Sequence, residues 1–138
     1  AVLTALPYQT NDTLLHTDTA LLPRKRLARA SWNYHRLRQD GPGVTVTYDM
    51  TRLQRLPTTT RFMTSLNRRD AVDPATVLDE IAYHHPVYTP AGVAAQRRWA
   101  ELNGVRRTFF CGAYWGYGFH EDGVTSGLRV AHAFGAAL

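Results

Sequence analysis

The chain holds one cysteine, Cys111, in 138 residues. A single thiol excludes an internal disulfide, and with it the disulfide-stapled scaffolds of small secreted domains. No apolar run approaches the roughly 20 residues that a helix needs to cross a bilayer, so no transmembrane segment is expected. The opening AVLTALPYQT has neither the basic n-region nor the apolar h-region of a signal peptide. It begins in mid-pattern without an initiator Met, as expected of a piece of a longer protein. Internal repeats, low-complexity tracts and a Gly-x-Gly-x-x-Gly phosphate fingerprint are all missing. Acids are in the minority, 11 against 16 basic residues, for a formal charge of +5.

What is present suits a folded domain. The 44% hydrophobic content can build a core, and 20% charged is ordinary for a globular chain. The basic surplus lies in Arg24-Lys25-Arg26, Arg68-Arg69, Arg97-Arg98 and Arg106-Arg107. Such clusters can attract nucleic acid or anionic lipid. These are scattered and form no stripe with interleaved aromatics, so they read as solvated faces and nucleic-acid binding is not expected.

The first two-thirds reads as short strands broken by turns. Strands are expected at residues 13–17 (TLLHT), 27–36 (LARASWNYHR), 44–48 (VTVTY) and 62–66, with Pro23 ending any pairing after the first. Alternation in the second puts Trp32 and Tyr34 on one face, and Ser31, Asn33 and His35 on the other. Residues 39–43 (QDGPG) form a turn by composition, closing a hairpin between the second and third strands. Residues 50–56 allow one or two helical turns, 67–73 are loop-like, and 77–84 (VLDEIAYH) favour strand over a helix ended by Pro86. In the last third, Thr89 and Pro90 open a helix as N-cap and first helical residue, and Asn103-Gly104 closes it. Val93, Gln96 or Arg97, and Ala100 share its spacing. Residues 105–111 (VRRTFFC) read as a strand with an apolar end, and 122–138 as a helix with Gly127, Val130 or Ala131, Phe134 and Leu138 on one face.

Between those last two elements lies a loop rich in glycine and aromatics. A helix start leaves four backbone N–H groups unpaired and carries partial positive charge, so it suits an anion or an electron-rich carbonyl. Asp122, Gly123 and Val124 stand at that start. Gly123 would let a flat ligand approach, and Gly112 would do the same for a chain of hydroxyls or a phosphate. A flavin satisfies these features together. Negative charge that develops around its N1 and C2 carbonyl on reduction would meet backbone donors and a helix dipole. The plainer reading is a strand–helix corner whose aromatics fill a core.

Phe109-Phe110-Cys111-Gly112, followed by Glu121-Asp122-Gly123-Val124-Thr125-Ser126-Gly127-Leu128-Arg129-Val130-Ala131, resembles the C-terminal flavin-binding segment of the amine-oxidase-like flavoproteins. That family's pattern is an apolar strand ending in Ala-Gly-x-Glu, an aromatic loop, then Glu-Gly-Ala-Val-x-Ser-Gly-x-Arg-Ala. Glu121, Val124, Ser126, Gly127, Arg129 and Ala131 match or nearly match it, and Phe119 falls at the place of a cage aromatic. Tyr114 stands in place of a ribityl-facing Glu, and Asp122-Gly123 in place of Gly-Ala. The chain is also similar to bacterial FAD-dependent amine oxidoreductases with segments like LHTDTALLPRKR, ASWNYH, YHHPVYTP and FCGAYWGYGFHEDG.

The resemblance implies an α+β fragment of a two-domain FAD-binding fold. Residues 1–88 would belong to the substrate domain as an antiparallel sheet. Residues 89–138 would supply a helix, a strand and the C-terminal helix of the FAD domain. It implies FAD contacts at Gly112, Ala113, Asp122, Gly123 and Val124, and a substrate wall from Phe119, Tyr117, Trp32, Tyr34 and His84. The reaction implied is hydride removal from the C–N or C–C bond of an amine or a lipid-like substrate, in a cytoplasmic or membrane-peripheral protein. The isolated piece would be inactive, would lack its N-terminal half as partner, and would tend to self-associate through exposed apolar surface.

Other residue pairs suggest further sites. His84 and His85 are neighbours on a strand and point to opposite faces, so joint metal ligation is not expected, and either could carry a proton. Cys111 with His120 could form a nucleophile pair, but a cysteine in an apolar strand end is usually inert. Asp79 and Glu80 likewise face apart, against a paired-carboxylate mechanism. A basic module binding nucleic acid or an acidic partner is the rival from outside enzymology.

Overall fold

A computed structural model describes residues 2–38 and 43–136. The fold is α+β, with a five-stranded antiparallel sheet and three α-helices among the described residues. The chain divides into two compact units, Thr10–His84 and a second that joins Ala1–Gln9 to His85–Leu138.

The sheet carries the first unit. Its strands are β1 (Tyr8–His16), β2 (Trp32–Tyr34), β3 (Val46–Asp49), β4 (Met63–Leu66) and β5 (Val77–Pro86), ordered β2-β3-β4-β1-β5. Thr47 sits opposite Asn33 on one side and Ser65 on the other, and Leu14 opposite Ser65 in turn. The hairpin partners β2 and β3 pair as expected. Their turn lies outside the described residues apart from Gly43, whose φ of 99° is open to glycine at little cost. Two strands differ from expectation. β1 begins five residues earlier, at Tyr8, because pairing overrides the weak strand preference of Gln9, Asn11 and Asp12. Asn67, at φ 54°, ends β4 by donating its amide N–H to the Asp12 carbonyl (2.8 Å) and its side-chain amide to Asn11 Oδ1 and the Val44 carbonyl. β2 is only three residues long, because residues 26–28 form a 3-10 turn and the Asn33 amide holds the Ala30 carbonyl at 2.8 Å.

Leu14, Leu22, Val46, Met63 and Val72 form the apolar core of this unit. Beside them are buried Thr47, Ser65, His16 and Asp49, an unusually polar filling for so small a core. Helix α1 (Met50–Leu53) is a single turn capped by the Asp49 carboxylate, which accepts the Arg52 amide at 3.0 Å.

In the second unit, α2 (Pro90–Gln96) starts as expected, with the Thr89 hydroxyl accepting the Gly92 amide at 3.0 Å. After Gln96 the bonding tightens to i−3, as in Arg98 N–H to Ala95 O and Glu101 N–H to Arg98 O. The helical run therefore reaches Asn103 as 3-10 turns and stops at Gly104, φ 86°. The buried positions are Gly92 and Ala95, while Val93 is exposed, a correction of the expected inner face. A Cβ at Gly92 would stand 3.0 Å from the Ala5 carbonyl oxygen, so the small face is what lets the N-terminal segment lie against α2. Among the described residues no helix is long and apolar enough to cross a membrane.

Candidate functional site

Residues 105–111 are not a strand. Arg106 and Arg107 take φ near +53° and +57°, where non-glycine residues are rare, and the segment forms a 3-10 turn. Its backbone groups then bind side chains instead of a neighbouring strand. Phe110 N–H donates to Asn103 Oδ1 (2.6 Å), and the Phe110 carbonyl accepts the indole N–H of Trp115 (3.0 Å) and of Trp99 (3.3 Å). Cys111 is consequently exposed, not sealed in an apolar strand end.

The glycine-aromatic loop is pinned from two sides. Gly112 N–H donates to the hydroxyl of buried Ser126 (3.1 Å), and the Gln96 amide donates to the Tyr114 and Gly116 carbonyls (2.9 and 2.7 Å). Residues Ala113–Trp115 make a 3-10 turn that leads into α3 (His120–Ala133). The helix opens two residues earlier than expected. Asp122 is its third residue, and its carboxylate turns back to accept Phe119 N–H at 2.9 Å. Gly123 N–H is therefore already bonded to the Phe119 carbonyl (3.2 Å), which corrects the expectation of an unpaired amide there. The open donors of a helix belong to its first turn, here His120 and Glu121. On α3 only Ser126 is buried, and Phe134, just past its end, is exposed against expectation while touching Phe109 at 4.9 Å; Leu138 lies outside the described residues.

Of the residues expected to meet a flavin, Gly112, Ala113, Asp122, Gly123 and Val124 do come together, but two glycine faces are taken. A Cβ on Gly112 would lie 2.4 Å from the Tyr114 ring, and one on Gly116 would lie 2.2 Å from the Asp122 carboxylate. Gly123 has only Ala113 near, at 3.9 Å. The local chain thus fits the flat ring edge of a flavin along the first turn of α3 and Val124. It does not fit a ribityl tail at Gly112, which Tyr114 covers. Tyr117, Phe119 and Val124 are exposed beside that turn. The adjoining cleft between Trp99, Trp115, Asp122 and Arg129 holds about 90 Å³, far below a ring-sized pocket. Arg129 caps it by stacking 3.9 Å above the Trp99 ring.

Trp32 and Tyr34 lie elsewhere, on β2 in the first unit, 61% and 70% exposed. They share one face as expected, while Asn33 points inward. They line a pocket of about 500 Å³ with Leu21, Pro23, Arg24 and His35. His84 stands on β5, its Nδ1 3.0 Å from the Thr10 hydroxyl. Among the described residues no group of three His, Cys, Asp or Glu side chains converges as a metal site.

One constellation escaped sequence reasoning. His16 Nε2 contacts Ser65 Oγ (2.8 Å), Ser65 Oγ contacts Thr47 Oγ1 (2.7 Å), and Thr47 Oγ1 contacts His35 Nε2 (2.9 Å). Strands β1, β4 and β3 and the residue after β2 thus contribute one unbroken chain of polar atoms, with His16 Nδ1 buried at its end. Period-two alternation places His16 on the face of Leu14, and that was the available signal.

Burial lowers the pKa of His16 below 6.5, with the Asp18 carboxylate and backbone opposing, and burial then Arg68 lowers that of His35. The unfolded chain therefore takes up protons first as pH falls. The stability is full above 6.5 and declines as pH drops through 6.5 toward the lower folded values. Urea unfolding midpoints are expected to be lower at about pH 5.5 than at about pH 7.5, and His16→Gln is expected to shrink the difference. An identical midpoint at both would contradict the lowered values.

No protein-family model matches this chain, and no curated protein matches it.

Proposed function

We propose that the chain is the C-terminal region of an FAD-dependent, amine-oxidase-like oxidoreductase that removes a hydride from a C–N or C–C bond. The observation that carries this reading is the outward-facing first turn of α3, flanked by exposed Phe119, Tyr117 and Val124, with the Asp122 carboxylate folded back onto Phe119 N–H. The Asp122 carboxylate caps Phe119 N–H and offsets part of the helix dipole, which leaves the first-turn amides of His120 and Glu121 as the donors for a ligand. Bound there, the flavin would supply hydride acceptance. The chain's own part is to present the first-turn amides of His120 and Glu121, to keep bulk away at Gly123, and to wall the ring with Phe119.

Exposed apolar side chains in each unit support a missing partner half. Leu78, Ile81 and Tyr83 on β5 and Tyr117, Phe119 and Val124 near α3 are among the apolar side chains left in water. The isolated chain is accordingly expected to be catalytically inactive.

The reading is tested on the longer protein encoded with any upstream segment. It should purify yellow, and Val124→Glu should weaken FAD binding by roughly tenfold, about 1.4 kcal/mol, while circular dichroism stays unchanged. A full-length protein that takes up no FAD on reconstitution would overturn it.

A further inference from the structure

The pocket beside β2 is built from residues 21–35 of the first unit alone. Its volume of about 500 Å³ falls in the range that encloses small organic ligands. The walls are held by bonds that do not involve a ligand. Arg29 Nε donates to the Pro23 carbonyl (2.9 Å), Arg52 donates to the Arg29 carbonyl (2.7 Å), and the Asn33 amide ties Ala30. Leu22 is buried beneath and anchors the loop to the core.

The lining has a definite chemistry. Leu21, Pro23, Trp32 and Tyr34 give it aromatic and apolar walls beside polar groups from Arg24, Asn33 and His35, and among the described residues no carboxylate lines it. Its one permanent charge is Arg24, whose guanidinium has no ion pair or hydrogen bond among the described residues. Burial, and then Arg68, lowers the pKa of His35 and so disfavours a second charge there. Lys25 and Arg26 follow Arg24 in the chain and add positive charge to the same segment. A planar guanidinium matches a carboxylate through two parallel N–H bonds, and flat rings prefer aromatic walls in offset or edge contact.

We propose that this pocket binds an organic monocarboxylate with a flat aromatic body, the ring against Trp32 and Tyr34 and the carboxylate on Arg24. The proposal rests on the functional reading only in calling such a ligand the substrate; the binding itself requires no flavin.

The test uses the full chain and three probes that share one body: 3-phenylpropionate, its amide and the corresponding amine. Calorimetry or chemical-shift titration should rank the acid at least about tenfold tighter than the amide, with the amine weakest. Arg24→Gln should bring the acid down to the level of the amide and leave the amide unchanged. Tyr34→Ala should weaken acid and amide alike. Equal affinity for acid and amine, or an acid preference that survives Arg24→Gln, would overturn the proposal. So would a dimer in sedimentation that Tyr34→Ala dissolves, since the face would then be an interface between copies. A full-length protein that binds FAD but shows no acid preference would sink this inference and spare the flavin reading. A colourless one that prefers the acid would do the reverse.

Discussion

Replacing Asp49 with alanine is expected to lower stability by about 3 kcal/mol, the sum of a lost helix cap and a lost charge-assisted bond. Asp49 is 2% exposed and both carboxylate oxygens are used. Oδ1 accepts the Arg52 amide at 3.0 Å and caps α1, and Oδ2 accepts the Arg61 guanidinium at 2.9 Å. Arg61 is half-exposed and can return to water, so the penalty stays below that of stranding a fully buried partner. Asp49→Asn keeps an oxygen for the cap and gives up the charge, so about half of the loss is expected. Urea unfolding of the two variants measures both. A loss under about 1 kcal/mol for alanine would mean that the surroundings replace the cap, against the geometry described.

Ser65→Ala is the second large effect, again about 3 kcal/mol. Ser65 is fully buried, and its hydroxyl links His16 Nε2 to Thr47 Oγ1. Alanine fills the space but leaves buried His16 Nε2 facing a methyl group, at a cost of roughly 1–3 kcal/mol, and takes one of two contacts from Thr47 Oγ1, which keeps His35 Nε2. Thr47→Val cuts the same chain one step further along. Because one network is broken in either case, the double variant should lose clearly less than the sum of the single ones. Additive losses would show the contacts to be independent pairs. The nitrogen shifts of His35 provide a second readout, since loss of the Thr47 hydroxyl frees Nε2 and changes the tautomer balance.

Much of the first unit was legible along the chain. The β-branched run before Tyr48, the short strand ending at Leu66 and the turn after Asp49 declare themselves by local composition, and all three form. Thr89-Pro90 marks the start of α2 for an equally local reason, a hydroxyl acceptor followed by a residue without an N–H. Residues 105–111 misled because apolar, β-prone side chains need a neighbouring strand. In this chain Asn103, Trp99 and Trp115 take Phe110's backbone groups instead. At the candidate site, the glycines at 112 and 116 were legible as permissive positions. Which atoms occupy the space above them was not, and it proves to be Tyr114 and Asp122.

The sequence by itself determined the α+β class, the alternation that sets Trp32 and Tyr34 against Asn33, the helical turn after Asp49 and the cap of α2, since each depends on residues within one or two turns of chain. Only the tertiary structure decided that His16, Ser65, Thr47 and His35 connect across the sheet, that Arg24 lines an aromatic pocket with no acid beside it among the described residues, and that Asp122 bends back onto its own helix start. The physical reason is the same throughout: local propensity acts over a few residues, whereas a hydrogen bond between residues 16 and 65 exists only once strand register has brought them within 2.8 Å.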